Sequence, residues 1–395
     1  MIPAFFISGL PKIIFGEGSL NQVPSLLLQY GKRVLIVSGG RSFRASLHWQ
    51  GLVDALKGQG LSWEDMVVRE EPSPQLVDQA VRVYRNAGIQ AVLGIGGGSV
   101  LDAAKAIAGL LPLGNSVMDH LEGVGPELPY QGPSLPFIAV PTTAGTGSEA
   151  TKNAVLSVHG PDGFKKSFRH DLLVAKYVVL GPVLLASCPP DLIAANGMDA
   201  LTQLLESLVS TRANPLTDAL ALSGLGYVRD SLPDWYEGGA KAADGRAGMA
   251  YAALLSGITL AQAGLGSVHG LAAPLGAFFP IPHGVACGAT VAAAAKINIR
   301  ALEEREANSP ALEKYARIGR LFGAETHSDN AEARVFLANT LNEWTVRLQM
   351  PGLGAYGIRE SDLDEIVSNS RGSSMKTNPV VLTDGEVREV LLHSL

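Results

Sequence analysis

Cysteine is nearly absent: Cys188 and Cys287 are the two in 395 residues, too few for a disulfide framework and too far apart for a zinc ribbon or redox pair. Charge is also scarce, with 17% Asp, Glu, Lys and Arg against the ~25% usual for globular chains. With 47% hydrophobic residues, this composition excludes a disordered chain and provides for a large core. An excess of basic residues is missing as well. Thirty-one Lys and Arg stand against 37 Asp and Glu, a net charge of -6, so nothing draws the chain electrostatically to nucleic acid or an anionic membrane. The opening MIPAFFISGLPK has no basic region and no small-residue cleavage site after an apolar stretch. No signal peptide is read there, and a cytoplasmic location is expected.

A long uninterrupted apolar run is missing too. No charged residue occurs between Arg246 and Lys296, yet Gln262, His269, Pro274, Pro280, Pro282, His283 and many glycines break the stretch. A spanning helix needs roughly 20 consecutive apolar residues; a buried helical core is the expectation here. At ~150 residues per domain, the length suggests two domains.

The first half alternates strands and helices. KRVLIV (32–37) is a β-branched run ending in Ser38-Gly39-Gly40, AVLGI (91–95) closes on three glycines, and FIAV (137–140) stops at Pro141. LVDQAVRVYRNAG (76–88) and VLDAAKAIAGLL (100–111) have helical spacing. Strand, Gly-rich turn and helix in repetition predict a parallel sheet with covering helices. From about Leu192 the pattern becomes helical, with candidates at 198–209, 214–228, 246–263 and 309–321 and turns at Gly238-Gly239 and Pro280–Pro282. The boundary is expected near Gly181-Pro182.

Three sets of residues carry chemistry. In Gly96-Gly97-Gly98-Ser99, followed by Val100 to Lys105, glycines permit close backbone approach and the helix start offers free N–H groups to an anion. It is neither a Walker loop nor a full G-x-G-x-x-G, and a tight strand–helix turn capped by Ser99 remains an equal reading. Pro141-Thr142-Thr143-Ala144-Gly145-Thr146-Gly147-Ser148-Glu149 places four hydroxyls and two glycines after the next strand. A parallel strand's carboxyl end faces the ligand crevice, although a plain Thr-rich surface loop has the same composition. Two such loops after successive strands point to a dinucleotide. The third set is Asp199 with His269 and His283, a carboxylate and two imidazoles suited to a divalent metal. Among eight histidines this set is weak alone, but a buried imidazole in a charge-free region needs a partner.

Together these segments resemble the iron-containing (group III) alcohol dehydrogenase family. The likeness runs from PKIIFGEGSL (11–20) through KRVLIVSGG, EPSPQ, GGGSVLDAAK and PTTAGTGSE to GMDAL, NPLTDAL, HGLAAPLG and IPHG, nearly the whole chain. It implies an α/β dinucleotide-binding domain over 1–182 and an all-α metal- and substrate-binding domain over 183–395, an architecture shared with dehydroquinate synthase. Metal and substrate would lie in the cleft between. The resemblance assigns Gly97, Gly98, Ser99 and Asp102 to the cofactor's diphosphate, Thr142, Thr143 and Thr146 to its phosphates, ribose and nicotinamide side, and Lys165, beside Lys166, to a cofactor-facing lysine. It also implies NADP or NAD, a divalent cation (iron, or else zinc), a homodimer or higher oligomer, and a small alcohol, aldehyde or ketone as substrate.

The chain departs from the family pattern at several positions. Four residues after Asp199, where the family has a histidine ligand, stands Gln203; both share a helix face, but an amide oxygen is a weaker donor than imidazole for first-row metals. The implied metal set is Asp199, His269 and His283, with Gln203 as a weak fourth ligand, a supporting group or a substrate contact. Four residues after His269, Ala273 replaces a histidine tied to proton relay, and Gly181 replaces the aspartate before proline. The acid that some members carry after the first nucleotide-binding strand is replaced by Gly39 and Gly40, followed by Arg41 and Arg44. That favours a 2′-phosphate and hence NADP, unless both arginines are simply solvated. Asp199, His269 and His283 are the expected catalytic residues, through the metal they hold. A metal-independent reductase of the same fold and a non-catalytic nucleotide-binding relative remain alternatives. A dehydroquinate-synthase-like lyase needs basic residues for a phosphorylated substrate, and the charge-free stretch argues against it.

Overall fold

The computed structural model describes residues 2, 4–160, 163–323 and 329–395. The chain divides into two units, one made of Ser8–Val158 and Lys165–Cys188, the other of Met1–Ile7, His159–Phe164 and Pro189–Leu395.

The first unit alternates β1 (Lys12–Phe15), α1 (Val23–Leu28), β2 (Arg33–Gly39), α2 (Leu47–Gly58), β3 (Ser62–Val68), α3 (Pro74–Tyr84), β4 (Ala91–Gly96), α4 (Gly98–Leu110) and β5 (Phe137–Pro141). It continues with β6 (Asn153–Val158), β7 (Phe164–Arg169) and β8 (Tyr177–Leu180). Six strands form an all-parallel sheet in the order β1-β8-β5-β4-β2-β3, and β6 pairs with β7 separately. Strands β4, β5 and β8 are buried at every position, which is why they are uninterrupted apolar runs. The edge strand β3, SWEDMVV, buries only Val68, and β1 buries none of its residues. Neither stands out as a strand in the sequence, nor do β6, β7 and β8.

The chain runs from β2 outward to β3, then returns across β2 to β4, so the strand order reverses between β2 and β4. A reversal of this kind opens a crevice at the carboxyl ends of the strands. The register aligns Ser38 with Ile95 and Gly96 with Pro141, so the Gly-rich turn and the Thr-rich loop begin at one level.

A buried ionic network anchors that loop to α4. Lys105 is wholly buried, and its Nζ donates to Ser148 O at 2.8 Å, Ser148 Oγ at 3.1 Å, Thr151 Oγ1 at 2.9 Å and Asn153 O at 2.5 Å. Ser148 Oγ in turn donates to Asp102 Oδ1 at 2.6 Å. Burial shifts both ends of this network towards neutrality, lowering the Lys105 pKa and raising that of Asp102. Neighbouring Glu149 is also buried, which pushes its carboxyl up to about 7.

The second unit is helical throughout its described residues from Pro189 onward. Its long helices are α5 (Pro190–Val209), α6 (Pro215–Glu237), α7 (Ala242–Ala263), α8 (Ser267–Phe278), α9 (His283–Arg305), α10 (Pro310–Leu321) and α11 (Asn330–Arg347), followed by α12 (Leu363–Asn369) and α13 (Asp384–Leu392). Helix α5 begins eight residues before its expected start at 198, with Pro190 in its first turn, a position that tolerates proline because the missing N–H has no helical partner. Helix α6 starts at a capping box of Asn214 and Thr217 and continues past 228 to Glu237, through Pro233.

The charge-free stretch forms most of α7, all of α8 and the first half of α9. Helix α9 is long and apolar enough to cross a membrane, but 72% of its most apolar window is buried inside the fold, as expected of a core helix. It lies against α5 through two glycines one turn apart. A Cβ at Gly284 would collide with the Ala195 carbonyl oxygen, and one at Gly288 would sit 3.0 Å from Met198 Cβ.

Two stability predictions follow from this packing. Gly284→Ala is expected to cost about 1–3 kcal/mol by overpacking, lowering the urea midpoint. Gly226→Ala on α6, where nothing lies within 4 Å of the new Cβ, gains about 0.5–1 kcal/mol from helix propensity; equal midpoints for the two variants would contradict the close approach of α9. Glu149 retains a proton in the folded chain up to about pH 7, whereas the unfolded chain loses it near the ordinary 4.5. The folded state therefore binds more protons between these values, and stability falls as pH rises through them, by on the order of 3 kcal/mol in full. Glu149→Gln should remove that slope, so the variant's advantage in melting temperature grows from pH 5 to pH 8. An offset independent of pH would show that Glu149 ionises normally.

Candidate functional site

In the helical unit, Asp199 lies in the middle of α5, His269 in the first turn of α8, and His283 at the first position of α9. His269 Nε2 is 3.2 Å from Asp199 Oδ1, and His283 Nε2 is 3.8 Å from the same oxygen. Cys287, one turn along α9, brings its Sγ to 3.7 Å from His269 Nε2 and 3.8 Å from His283 Nε2. One donor atom from each of the four residues lies within 4.8 Å of all the others. The three residues expected from sequence are thus brought together, joined by one that was not expected.

The side chains behind this cluster orient it. Glu206 Oε2 lies 2.7 Å from His269 Nδ1, and Glu206 Oε1 accepts from Val268 N at 2.7 Å. A carboxylate on Nδ1 fixes the imidazole tautomer and turns Nε2 towards the cluster, the usual arrangement behind a metal-bound histidine. Burial opposes the charged form of His269, but Cys287, Asp199 and Glu206 outweigh it and hold its pKa well above the ordinary value. Burial likewise opposes ionised Asp199, yet His283, His269 and the Cys287 thiol hold it below the usual carboxylate range. Burial pushes the Cys287 thiol up to about 11.

These residues fit a divalent cation. Asp199 and Glu206 are two carboxylates less than a tenth exposed beside one shared imidazole, and buried acids need compensating positive charge. Asp199 Oδ2 is buried with no hydrogen-bond partner, a costly state that a cation would relieve.

Gln203 does not present its oxygen to the cluster. Its Nε2 donates to Asp199 Oδ1 at 3.1 Å and its Oε1 accepts from Ser256 Oγ at 2.6 Å. A carboxylate only accepts, so the amide must turn its N–H towards Asp199; Gln203 holds the carboxylate from behind. The sequence reading passed over Glu206 and Cys287, although both carry a spacing signal: Glu206 is seven residues after Asp199 on α5, and Cys287 four after His283 on α9.

The nucleotide loops are built within the other unit. The expected cap by Ser99 is not formed: Gly97 is the N-cap, no side chain caps α4, and Ser99 is the second residue of the helix. Val100 N and Leu101 N donate to Gly97 O at 3.0 and 3.1 Å, which leaves the Gly98 and Ser99 N–H groups without intrahelical partners. A Cβ on Gly97 would meet Thr143 Oγ1 at 3.2 Å, and one on Gly98 would meet Thr146 Oγ1 at 2.7 Å, so the glycines let the Thr-rich loop lie directly on the turn. Thr142 N donates to Gly96 O at 3.0 Å. Asp102 faces Ser148 and Lys105, and Lys165 Nζ donates to Glu71 Oε1 at 2.6 Å; both expected cofactor contacts have partners inside the unit.

At the end of β2, Gly39 and Gly40 are half-buried, with exposed Arg41 beside them. Arg44 is not a free cation. It donates to Asp65 of β3 with two nitrogens, one at 2.8 Å, and to Ser38 Oγ at 2.6 Å, and lies over the Trp49 ring. The guanidinium at this corner that sequence reading missed is Arg69, whose Nη1 lies 3.2 Å from where a Gly40 Cβ would be.

Comparison with known proteins agrees with this geometry. The family described as iron-containing alcohol dehydrogenase matches residues 11–182, and the C-terminal part of the Fe-containing alcohol dehydrogenase family matches residues 193–395. Alcohol dehydrogenase 4 of Schizosaccharomyces pombe is 33% identical, covering 98% of this chain and 88% of that protein. An NADPH-dependent butanol dehydrogenase of Clostridium saccharobutylicum is 30% identical over 96% of each. Among solved structures, an iron-containing alcohol dehydrogenase of Thermotoga maritima superposes with a TM-score of 0.83 at 27% identity, covering 99% of both chains. The chain belongs to the iron-containing alcohol dehydrogenase family.

Proposed function

We propose that the chain interconverts a small alcohol with its aldehyde or ketone, with Asp199, His269 and His283 as the metal-holding catalytic set. The reaction is NAD(P)-linked oxidoreduction. In the oxidative direction the substrate C–H electron pair leaves with its hydrogen as hydride to nicotinamide C4, and the hydroxyl proton is released; reduction reverses both. A bound divalent cation supplies Lewis-acid polarisation of the substrate oxygen. The observation that carries the reading is the cluster of buried Asp199, buried His269 and half-buried His283, backed by Glu206 on His269 Nδ1.

The roles of this chain's own groups follow from their placement. The α4 start at Gly97, Gly98 and Ser99 offers unpartnered N–H groups to the diphosphate, with Thr142, Thr143 and Thr146 supplying hydroxyls beside it. Residues 1–182 serve as the nucleotide-binding domain and 183–395 as the metal- and substrate-binding domain. Ala273 carries no proton, so the proton exchanges with solvent or a cofactor ribose hydroxyl. NADP is the favoured cofactor, because Gly39 and Gly40 carry no acid, Arg69 lies beside them, and Arg44 neutralises the nearby Asp65. The protein works in the cytoplasm as a homodimer. Support for self-association comes from edge strand β1, where Ile13 and Phe15 are 41% and 44% exposed on an unpaired strand edge.

Oxidation of NADPH and NADH with a panel of short aldehydes, before and after chelation, tests the reading. Turnover that is lost on chelation and restored by divalent metal is expected, faster with NADPH. Turnover indifferent to chelation identifies a metal-independent reductase, and nucleotide binding without turnover identifies a binding protein. Glu206→Gln, which removes the carboxylate from His269 Nδ1, is expected to weaken metal affinity about 10–100-fold in competition with a chelating dye. The nucleotide Kd should stay unchanged; unchanged metal affinity would mean that Glu206 does not orient the ligand.

A further inference from the structure

We propose that Cys287 is the fourth protein ligand of this metal centre, completing a carboxylate, two-imidazole and thiolate set that selects zinc over iron and expands to five-coordinate when the substrate oxygen binds. The inference rests on the reading that Asp199, His269 and His283 hold a divalent cation, and goes beyond it by naming the residue that supplies a fourth donor in the absence of a histidine at position 203. Position 203, where that histidine would stand, holds a glutamine turned away: its oxygen is engaged by Ser256 and its N–H by Asp199. The donor count is nevertheless still four, because Cys287 enters from the opposite helix.

The distances carry the argument. Bond lengths of about 2.0–2.1 Å for zinc–nitrogen and zinc–oxygen and 2.3 Å for zinc–sulfur place tetrahedral ligand atoms about 3.3 Å apart for a nitrogen–oxygen edge and about 3.6 Å for a nitrogen–sulfur edge. The observed edges are 3.2 and 3.8 Å from Asp199 Oδ1 to the two imidazole nitrogens, and 3.7 and 3.8 Å from those nitrogens to Sγ. The other oxygen of this carboxylate, Asp199 Oδ2, is buried and unpartnered, so the group is short of positive charge. Sulfur is a soft donor, and thiolate with imidazole is a set that favours zinc among the available divalent ions. As the cation binds, the Cys287 S–H bond gives way to a sulfur–metal bond and the proton passes to solvent.

Cobalt(II) reports the ligand directly through its spectrum. Stripped protein reloaded with one equivalent of cobalt should show a sulfur-to-cobalt charge-transfer band in the near ultraviolet. Cys287→Ser should lose that band and weaken zinc binding at least about tenfold, whereas Cys188→Ser should retain both. X-ray absorption of the zinc-loaded parent requires no variant, and should show one sulfur at about 2.3 Å. One bound cobalt without the band, the band persisting in Cys287→Ser, or a zinc shell free of sulfur overturns this inference and leaves the metal centre standing. Failure of the parent to bind cobalt or zinc overturns the metal reading and this inference with it.

Discussion

Two buried carboxylates compete for one imidazole, and much of the helical unit is arranged around that competition. Asp199 and Glu206 lie seven residues apart on α5, and His269 stands between them with Nε2 on one and Nδ1 on the other. In a water-poor interior this is tolerable only with added positive charge, a proton on the ring or a divalent cation in its place. The supporting groups serve the same end. Gln203 and Ser256 hold Asp199, the α8 backbone N–H of Val268 holds Glu206, and Gly284 with Gly288 lets α9 approach α5 closely enough to bring His283 and Cys287 into range.

The nucleotide unit follows a separate logic. Lys105 and Asp102, buried on α4, secure the Thr-rich loop through Ser148 and Thr151, so the loop's hydroxyls are held against the glycines of the preceding turn. Asp102, which the resemblance assigns to the cofactor, is buried with Lys105 and Ser148, and the three bind one another, while Glu149 is buried beside them. The motif therefore encodes a scaffold as much as a binding surface.

Legibility in the sequence tracked burial and local spacing. Strands β2, β4 and β5 are continuous apolar runs because helices or neighbouring strands cover them, whereas β3 with Trp63, Glu64 and Asp65 reads as a polar stretch because it forms an edge. The starts of α6 and α10 fall within one residue of the expected 214 and 309, whereas α5 begins eight residues before the expected 198 and α6 ends nine residues beyond 228. At the site, Asp199, His269 and His283 formed a weak set by residue type and the charge-free stretch alone, since 70 residues separate the first two, and the family resemblance strengthened it. Glu206 and Cys287 stayed hidden because acids and cysteines at helical spacing occur in any core, and their roles depend on how α8 and α9 fold onto α5. The direction in which Gln203 points, and the pairing of Arg44 with Asp65, are side-chain facts that no pattern encodes.

The centre of the account is that a cation sits among Asp199, His269 and His283. An anomalous-difference map from crystals of zinc-loaded protein, collected on both sides of the zinc edge, tests it most directly. A single strong peak bonded to Asp199 and to Nε2 of both histidines is the result predicted here. A map whose zinc lies elsewhere, with these three side chains hydrogen-bonded only to one another, would contradict it.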